Sequence, residues 1–513
     1  MLASEVAPYA KTGGLADVVG SLSKALARRG HEVHVVLPLY GSIDRGQFQV
    51  RPAGLQAAPG LGGRWEAFEV FRAGPDNGAG PTVWMLSHPL FARPGLYGER
   101  GSDYPDNHVR FRAFCHAALD LVRQRMPGPD ILHLHDWQAG LAAVDLRAPG
   151  MTPNPSFAKT KIVFTIHNLA FTGAVPAEAL DEMGLPRRLF APDALEFYGR
   201  LALIKGGLSY ADELTTVSPR YAREIQTPAG GYGLDGILAE RHADLFGIVN
   251  GLDYSVWNPA TDRLIPARYS PTRPAGKARC KRELQKELGL LADGDRPLIG
   301  MVTRLAEQKG LDILAEALPG IMALPVQFVL LGDGEERFRW AFAELAGRYP
   351  GRMAVKLGFD DRLAHRIPAA SDLCLMPSRF EPCGLNQLIA LKYGAVPVVR
   401  ETGGLADTVT DGANGFTFSE YNAVALLVAV RRALAARAGR AAWSKLMLQG
   451  MGEDWGWGRS AGEYARLYAL ARARRGLPVP IAPEMGPAEA HRKPAARRPS
   501  KSTKSTKPRR RRP

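Results

Sequence analysis

Cysteine is scarce in this chain, with four residues in 513, and Cys115, Cys280, Cys374 and Cys383 form neither a CxxC pair nor a metal-ligand spacing. That excludes a disulfide framework and a cysteine-rich zinc module, leaving reduced thiols as the expectation. Long apolar runs are also missing: none approaches the roughly 20 residues needed to span a bilayer. Met1 is not followed by a basic and then apolar signal pattern, so the expected location is the cytoplasm. At this length one core is rarely enough, and two domains are the default.

Charge of one sign is in excess, at a net +15. Its location decides what it means. Arg492, Lys493, Arg497, Arg498, Lys501, Lys504, Lys507 and Arg509 to Arg512 carry eleven positive charges with no acid among them, and the remainder is only mildly basic. The stretch from about Gly476, rich in Pro, Ala, Ser, Lys and Arg, cannot bury enough apolar surface to order itself and reads as a solvated extension. Contact of this tail with nucleic acid or an anionic surface is the sharper alternative.

What the chain does have is one hexapeptide twice. Thr-Gly-Gly-Leu-Ala-Asp runs from Thr12 to Asp17 and again from Thr402 to Asp407, each time with an apolar strand-like run upstream and a helix-like run downstream. Paired glycines let backbone turn tightly beside a ligand, and a following helix start offers free N–H groups to an anion. Lys11 precedes the first copy and Arg400 the second, so each loop carries a cation. Two copies, one per half, predict two similar sheets with one ligand between them.

The remaining pattern agrees with parallel α/β sheets. Residues 31–38, 130–135, 162–166, 211–217 and 246–249 read as strands and 111–125 as a helix. A Pro-containing, weakly periodic segment over 257–276 is the expected hinge. Beyond it, 298–303, 326–331, 353–357, 373–376 and 396–399 read as strands, and 423–436 as a helix. A last helix follows Asp454-Trp455-Gly456-Trp457 to about Arg474. Helix-length connections imply right-handed crossovers, which place ligands at the carboxyl ends of the strands.

Polar clusters fall at those ends: His135-Asp136-Trp137, His167-Asn168, Arg304, and Ser378-Arg379-Phe380-Glu381. Taken singly, each has a bland reading, a buried histidine on a strand or a solvated surface charge. Their gathering at one edge of each sheet points to a site. His133 and His135 have the spacing of a metal pair, but no second carboxylate or histidine group accompanies them, and no metal is expected.

Taken together, Lys11-Thr-Gly-Gly-Leu15, Tyr104-Pro-Asp-Asn107, His135-Asp-Trp137, Thr165-Ile-His-Asn168, Thr216-Val-Ser-Pro219, Gly233-Leu-Asp-Gly236, Asn250-Gly251, Arg304-Leu with Gln308-Lys-Gly310, Pro377-Ser-Arg-Phe-Glu-Pro-Cys-Gly-Leu385 and Thr402-Gly-Gly-Leu-Ala-Asp-Thr408 strongly resemble the bacterial glycogen synthases and plant starch synthases. These are retaining, ADP-glucose-using glycosyltransferases of family five, and the resemblance runs in order from Ala3 to about Tyr468. It implies an α/β GT-B fold of two Rossmann-like domains with parallel sheets facing across a cleft. The implied layout is an acceptor-side domain over 1–256, a linker over 257–276, a donor-binding domain over 277–455, a helix crossing back over 456–475 and the tail over 476–513. The implied reaction transfers glucose from ADP-glucose to the 4-hydroxyl at the non-reducing end of an α-1,4-glucan.

The resemblance also implies residue roles. Arg304 and Lys309 match the cations that neutralise the donor diphosphate, taking the place of a metal. Since the departing ADP gains charge, they favour the transition state over the ground state. Lys11, Gly13 and Gly14 match a donor-closing loop. Cys383, Gly384, Leu385, Thr402, Gly403 and Gly404 match the donor side, with the amides around Gly403 and Gly404 facing sugar and phosphate. Glu381 matches the acid beside the transferred glucose, orienting the sugar or supporting positive charge at its anomeric carbon. His167 contacts the 6-hydroxyl or stabilises the oxocarbenium-like state. Asp136 and Trp137, with Tyr104 as a weaker candidate, line the acceptor side, where an aromatic face stacks on sugar C–H groups. A front-face transfer, in which the leaving phosphate takes the acceptor's proton, is favoured over double displacement.

Three points depart from the pattern. Relatives carry a fuller first strand where this sequence begins Met1-Leu2, which predicts either an upstream start or a clipped central strand. Many other GT-B transferases carry a second glutamate eight positions after the first, where this chain has Ile389. That agrees with glycogen and starch synthases and argues against sucrose-synthase-like enzymes. The basic tail lies outside the family core. UDP-glucose as donor, a nucleotide-sugar epimerase on the same fold, and a non-enzymatic nucleic-acid-binding protein are the rival readings.

Overall fold

The computed structural model describes residues 1–58, 67–73, 80–99, 101–126, 128–152 and 154–474, so the basic tail from Gly476 lies outside the described residues. Met1–Arg472 forms one compact unit; of the second, Ala473–Pro513, only Ala473 and Arg474 are described.

The first lobe is built on strands β1 (His34–Pro38), β2 (Arg51–Ala57), β3 (Phe68–Ala73), β4 (Thr82–Ser87), β5 (Ile131–His135), β6 (Lys161–Ile166), β7 (Glu213–Thr216) and β8 (Leu245–Gly247). One group has the order β1-β4-β3-β2 and the other β8-β7-β6-β5. Leu2 stitches them together through parallel bridges to Val36 on one side and Leu134 on the other. Leu2 holds the central position between the two groups, flanked by Val36 N donating to Met1 O at 2.8 Å and Ala3 N donating to Val36 O at 3.1 Å. The Met1 ammonium donates to His34 O at 2.8 Å, its pKa pushed down to about 5 by burial. Counting Leu2, the parallel strands follow the doubly wound order, with the reversal between Leu2 and β5. The β2–β3 pair is antiparallel, an addition the sequence patterning does not predict, because β2 is largely exposed and reads as polar loop.

The second lobe is a wholly parallel sheet of β9 (Leu298–Val302), β10 (Gln327–Gly332), β11 (Met353–Leu357), β12 (Leu373–Met376), β13 (Val396–Arg400) and β14 (Phe416–Phe418). Its order is β11-β10-β9-β12-β13-β14, again a doubly wound sheet, with the reversal between β9 and β12. Strands buried on both faces read as continuous Val/Ile/Leu runs, which is why their positions are legible in sequence. The three-residue β14 is too short for any periodicity to mark it.

Helix α1 (Gly14–Arg28) buries Leu15, Val18, Val19, Leu22 and Leu26, one stripe at helical spacing. Against Val18, Leu22 and Leu26 lie Trp457, Tyr464, Leu467 and Tyr468 from α2 (Trp457–Ala473), the C-terminal helix returning to the first lobe. The lobes join where Leu252 N donates to Trp455 O at 2.7 Å and Leu252 bridges Gly456 in parallel. The 257–276 stretch, expected as the hinge, instead packs on the second lobe. Ile265 and Tyr269 are buried in one cluster with Leu284, Leu363, Ile367 and Tyr393. His365 stacks on Trp257 at 4.0 Å and donates to Asp262, which also accepts from the Tyr393 hydroxyl at 2.6 Å. Its prolines mimic a linker in sequence while its few large apolar side chains anchor it.

Candidate active site

The two strand-order reversals face each other, and a cavity of about 530 Å³ lies between the residues that follow them. That volume suits a nucleotide-sized ligand.

From the first lobe comes the turn before α1. Glu5 holds it: the carboxylate accepts from Thr12 N at 2.5 Å, Thr12 Oγ1 at 2.6 Å, Gly13 N at 3.2 Å and the Tyr97 hydroxyl at 2.7 Å. Gly13 and Gly14 line the cavity, and a Cβ on either would meet nothing within 4 Å. Lys11 is half-exposed, paired with Asp17 at 2.8 Å, and is not among the lining residues.

The ends of β5 and β6 supply the next wall. Asp136 has φ +56°, a left-handed backbone that a non-glycine residue adopts only where the surroundings fix it. Its carboxylate accepts from His167 N at 2.7 Å, tying the two strand ends together. Enclosure pushes the Asp136 carboxyl up to about 7. The same desolvation drives His167 down to about 3, so its ring is neutral. His167 Nε2 faces His135 Nδ1 at 3.1 Å, and His133 behind it contacts the Tyr468 hydroxyl at 2.7 Å and Thr165 Oγ1 at 2.6 Å. Burial pushes His133 and His135 below the usual histidine range as well, so the HxH pair is a neutral hydrogen-bonded stack beneath the site. Trp137 meets Phe111 edge-on at 5.3 Å and lies against Gly173, where any Cβ would strike the indole.

The second lobe brings the cations. Arg304 follows β9 and donates to Gln308 at 3.3 Å. Lys309 donates to Glu381 at 2.7 Å, and Ser378 Oγ donates to the same carboxylate oxygen at 3.0 Å. Gly310, at φ +69°, lies so close to Pro377 O that a Cβ would sit 1.9 Å away, which fixes the Lys309 turn against the Glu381 loop. Cys383, Gly384 and Leu385 line the cavity just before α3 (Asn386–Lys392). Burial pushes the Cys383 thiol up to about 12, leaving it a protonated packing group.

Besides Lys11, four expected site residues lie outside the lining. The Gly403 amide donates to both carboxylate oxygens of Glu224 at 3.1 Å, and the Gly404 amide donates to Glu381 O at 3.1 Å. Neither glycine nor Thr402 lines the cavity, and both amides are bonded within the protein. The glycines are needed for close packing: a Cβ on Gly403 would fall 1.9 Å from Glu381 O, and on Gly404 2.1 Å from Cys383 O. Tyr104 is likewise outside the lining, its ring between Arg93 and Arg110 at 4.8 and 4.9 Å. Conversely Glu5, Tyr97 and Asn250 line the cavity without having been assigned a role from sequence. A lone carboxylate in the apolar run ahead of the first Gly-Gly turn was the available signal for Glu5.

Known proteins resemble this chain in sequence and fold. Residues 1–240 match the starch synthase catalytic domain model and residues 284–446 the glycosyl transferases group 1 model. The chain is 51% identical over 476 residues to a glycogen synthase of Anaeromyxobacter dehalogenans, covering 91% of this chain and 98% of that one. It is 48% identical over 482 residues to the glycogen synthase of Geotalea daltonii, covering 93% and 99%. The chain belongs to the glycogen synthase and starch synthase family.

Among solved structures, the catalytic domain of Arabidopsis thaliana starch synthase IV, bound to ADP and acarbose, superposes with a TM-score of 0.84 at 35% identity, covering 92% of this chain and 99% of that one. A sucrose-phosphate synthase from Thermosynechococcus elongatus shares the fold at a TM-score of 0.58 and 19% identity. The family's GT-B fold, two Rossmann-like lobes across a cleft, is therefore the fold of this glucosyltransferase. Neither the epimerase nor the nucleic-acid-binding reading draws support from these matches. Among the described residues no helix is long and apolar enough to cross a membrane.

Proposed function

We propose that the cavity binds ADP-glucose and an α-1,4-glucan end and transfers glucose to the glucan 4-hydroxyl with retention, elongating glycogen in the cytoplasm. The observation that carries this reading is the convergence of Arg304, Lys309 and Glu381 from the second lobe with Asp136, Trp137 and His167 from the first around one cavity.

In this mechanism Arg304 and Lys309 take the diphosphate. Fixed cations in an enclosed site stabilise the charge that builds on the leaving oxygen and need no metal to do so. Lys309 already pairs with Glu381, so an arriving phosphate shares that ammonium and draws the transferred glucose beside the carboxylate. There Glu381 orients the sugar and supports positive charge at the anomeric carbon. The glucan hydroxyl attacks on the face the phosphate leaves, and the phosphate oxygen accepts its proton. His167, neutral at working pH, suits a hydrogen bond to the glucose 6-hydroxyl better than a cationic role. Trp137 and Asp136 form the wall on the acceptor side. Lys11, half-exposed on the first lobe, reaches the donor by further closure of its loop.

A competition assay with equal ADP-glucose and UDP-glucose tests the donor. The reading expects ADP as the dominant product, and predominant UDP release would overturn the donor assignment while leaving glucosyl transfer standing.

A further inference from the structure

The two copies of Thr-Gly-Gly-Leu-Ala-Asp are equivalent in a way their sequence does not reveal. In each, the amide of the first glycine donates to a glutamate carboxylate, Gly13 N to Glu5 at 3.2 Å and Gly403 N to Glu224 at 3.1 Å. The origin of the carboxylate differs. Glu5 lies on the same lobe, a few residues upstream, and its bond exists whatever the cleft does. Glu224 belongs to the first lobe and Gly403 to the second, so their bond exists only while the lobes are together.

Glu224 ends α4 (Pro219–Glu224), a short helix after β7, and Gly403 begins α5 (Gly403–Thr408). The contact is reciprocal: at the other end of the pair, Arg220 N donates to Asp407 Oδ2 at 2.7 Å. A third bond leads to the catalytic loop itself, with Ser218 Oγ donating to Pro382 O at 2.7 Å. Directly beneath, Gly404 N donates to Glu381 O. The segment from Ser218 to Glu224 also reaches the first-lobe half of the site, because the Tyr221 hydroxyl accepts from Leu169 N at 3.1 Å, two residues beyond His167. One short segment therefore touches the backbone behind both His167 and Glu381.

We propose that Glu224 is a positioning residue for glucosyl transfer: it clasps the Gly403 turn across the cleft and so holds the Glu381 loop in register with the first lobe only when the cleft is closed. This rests on the reading of Glu381 as the residue beside the transferred glucose. The carboxylate is 25% exposed and also pairs with Arg220 at 3.1 Å, which keeps it aimed and leaves it accessible when the lobes part. A loop misplaced by about 1 Å near the reacting atoms can lower a rate about 100-fold. Loss of this clasp is therefore expected in turnover and not in donor affinity.

The test is steady-state kinetics of the full chain with ADP-glucose and glycogen for wild type, Glu224→Ala, Glu224→Gln and Asp407→Asn, with melting temperatures measured in parallel. Glu224→Ala should lower kcat about 10- to 100-fold with KM for ADP-glucose within about 3-fold. Glu224→Gln should recover much of it, since its amide oxygen still accepts the Gly403 N–H, and Asp407→Asn should show a smaller loss of the same kind. Melting should be close to wild type throughout, and small-angle scattering should show a more open Glu224→Ala. Wild-type kcat in Glu224→Ala, a change confined to KM, or equal losses in Ala and Gln accompanied by a large fall in melting temperature would each overturn the clasp. A wild-type enzyme that transfers no glucose would instead overturn the reading of the site.

Discussion

Lys309 Nζ stands 2.7 Å from Glu381 Oε2, and both side chains are largely buried. The pair joins the residue that meets the phosphate to the residue that meets the sugar. A buried ion pair broken on one side strands the other charge, at a cost of about 3–5 kcal/mol.

Lys309→Ala therefore removes a phosphate cation and leaves Glu381 uncompensated. Turnover is expected to fall at least about 100-fold, the scale of losing one fixed group that stabilises developing charge. Arg304→Ala should act similarly with less effect on folding, because among the described residues the Arg304 side chain makes one long hydrogen bond, to Gln308 at 3.3 Å, and no ion pair. Steady-state assays and circular dichroism on both variants check this, and wild-type-like turnover in both would remove the phosphate assignment.

The two Gly-Gly turns are expected to respond oppositely to a methyl group. At Gly403, φ is +44° and the new Cβ would lie 1.9 Å from Glu381 O, so Gly403→Ala should lower the melting temperature by several degrees and cost activity. At Gly13 the backbone is extended and the space open, so Gly13→Ala should melt within about 2 °C of wild type, with any effect confined to donor KM. Thermal melts of the two variants decide it.

Asp136 gives a pH signature. Its carboxyl is raised from an ordinary 3.8 to about 7 by desolvation, so the folded protein holds this proton more tightly than the unfolded chain. The stability linked to the group is fully present below pH 3.8 and is lost as pH rises through about 7. Asp136→Asn keeps an acceptor for the His167 amide and abolishes this loss. Its melting temperature relative to wild type should climb between about pH 4 and pH 7 and level off above, and a flat difference would contradict the enclosed carboxyl.

Tyr468 links the C-terminal helix to the histidine stack through His133 at 2.7 Å. Tyr468→Phe should lower stability by about 1–2 kcal/mol, the cost of one unsatisfied buried group. Urea denaturation measures it.

How much of this was legible beforehand depends on the kind of signal each residue carried. Most second-lobe strands were visible as apolar runs because burial makes them so, and Arg304 and Glu381 stood out in polar clusters just after strands, while Lys309 was legible through the family resemblance. The β2–β3 pair was hidden by its exposed face. The 257–276 stretch looked like a linker because prolines outweigh its few anchors, although Ile265 and Tyr269 are buried against the second lobe. The second Gly-Gly turn was misplaced for a deeper reason. Its sequence equals that of the first, yet what its amides bond to is set by Glu224, nearly 180 residues away, and no local pattern encodes that encounter.

The central claim is that this cavity moves glucose from ADP-glucose to a glucan, and glycogen-dependent ADP release tests it most directly. The account predicts ADP formed in step with glucose incorporated into α-1,4-linked glycogen, with both lost together in Arg304→Ala. ADP release that is independent of glycogen, or absent with wild-type protein, would contradict it.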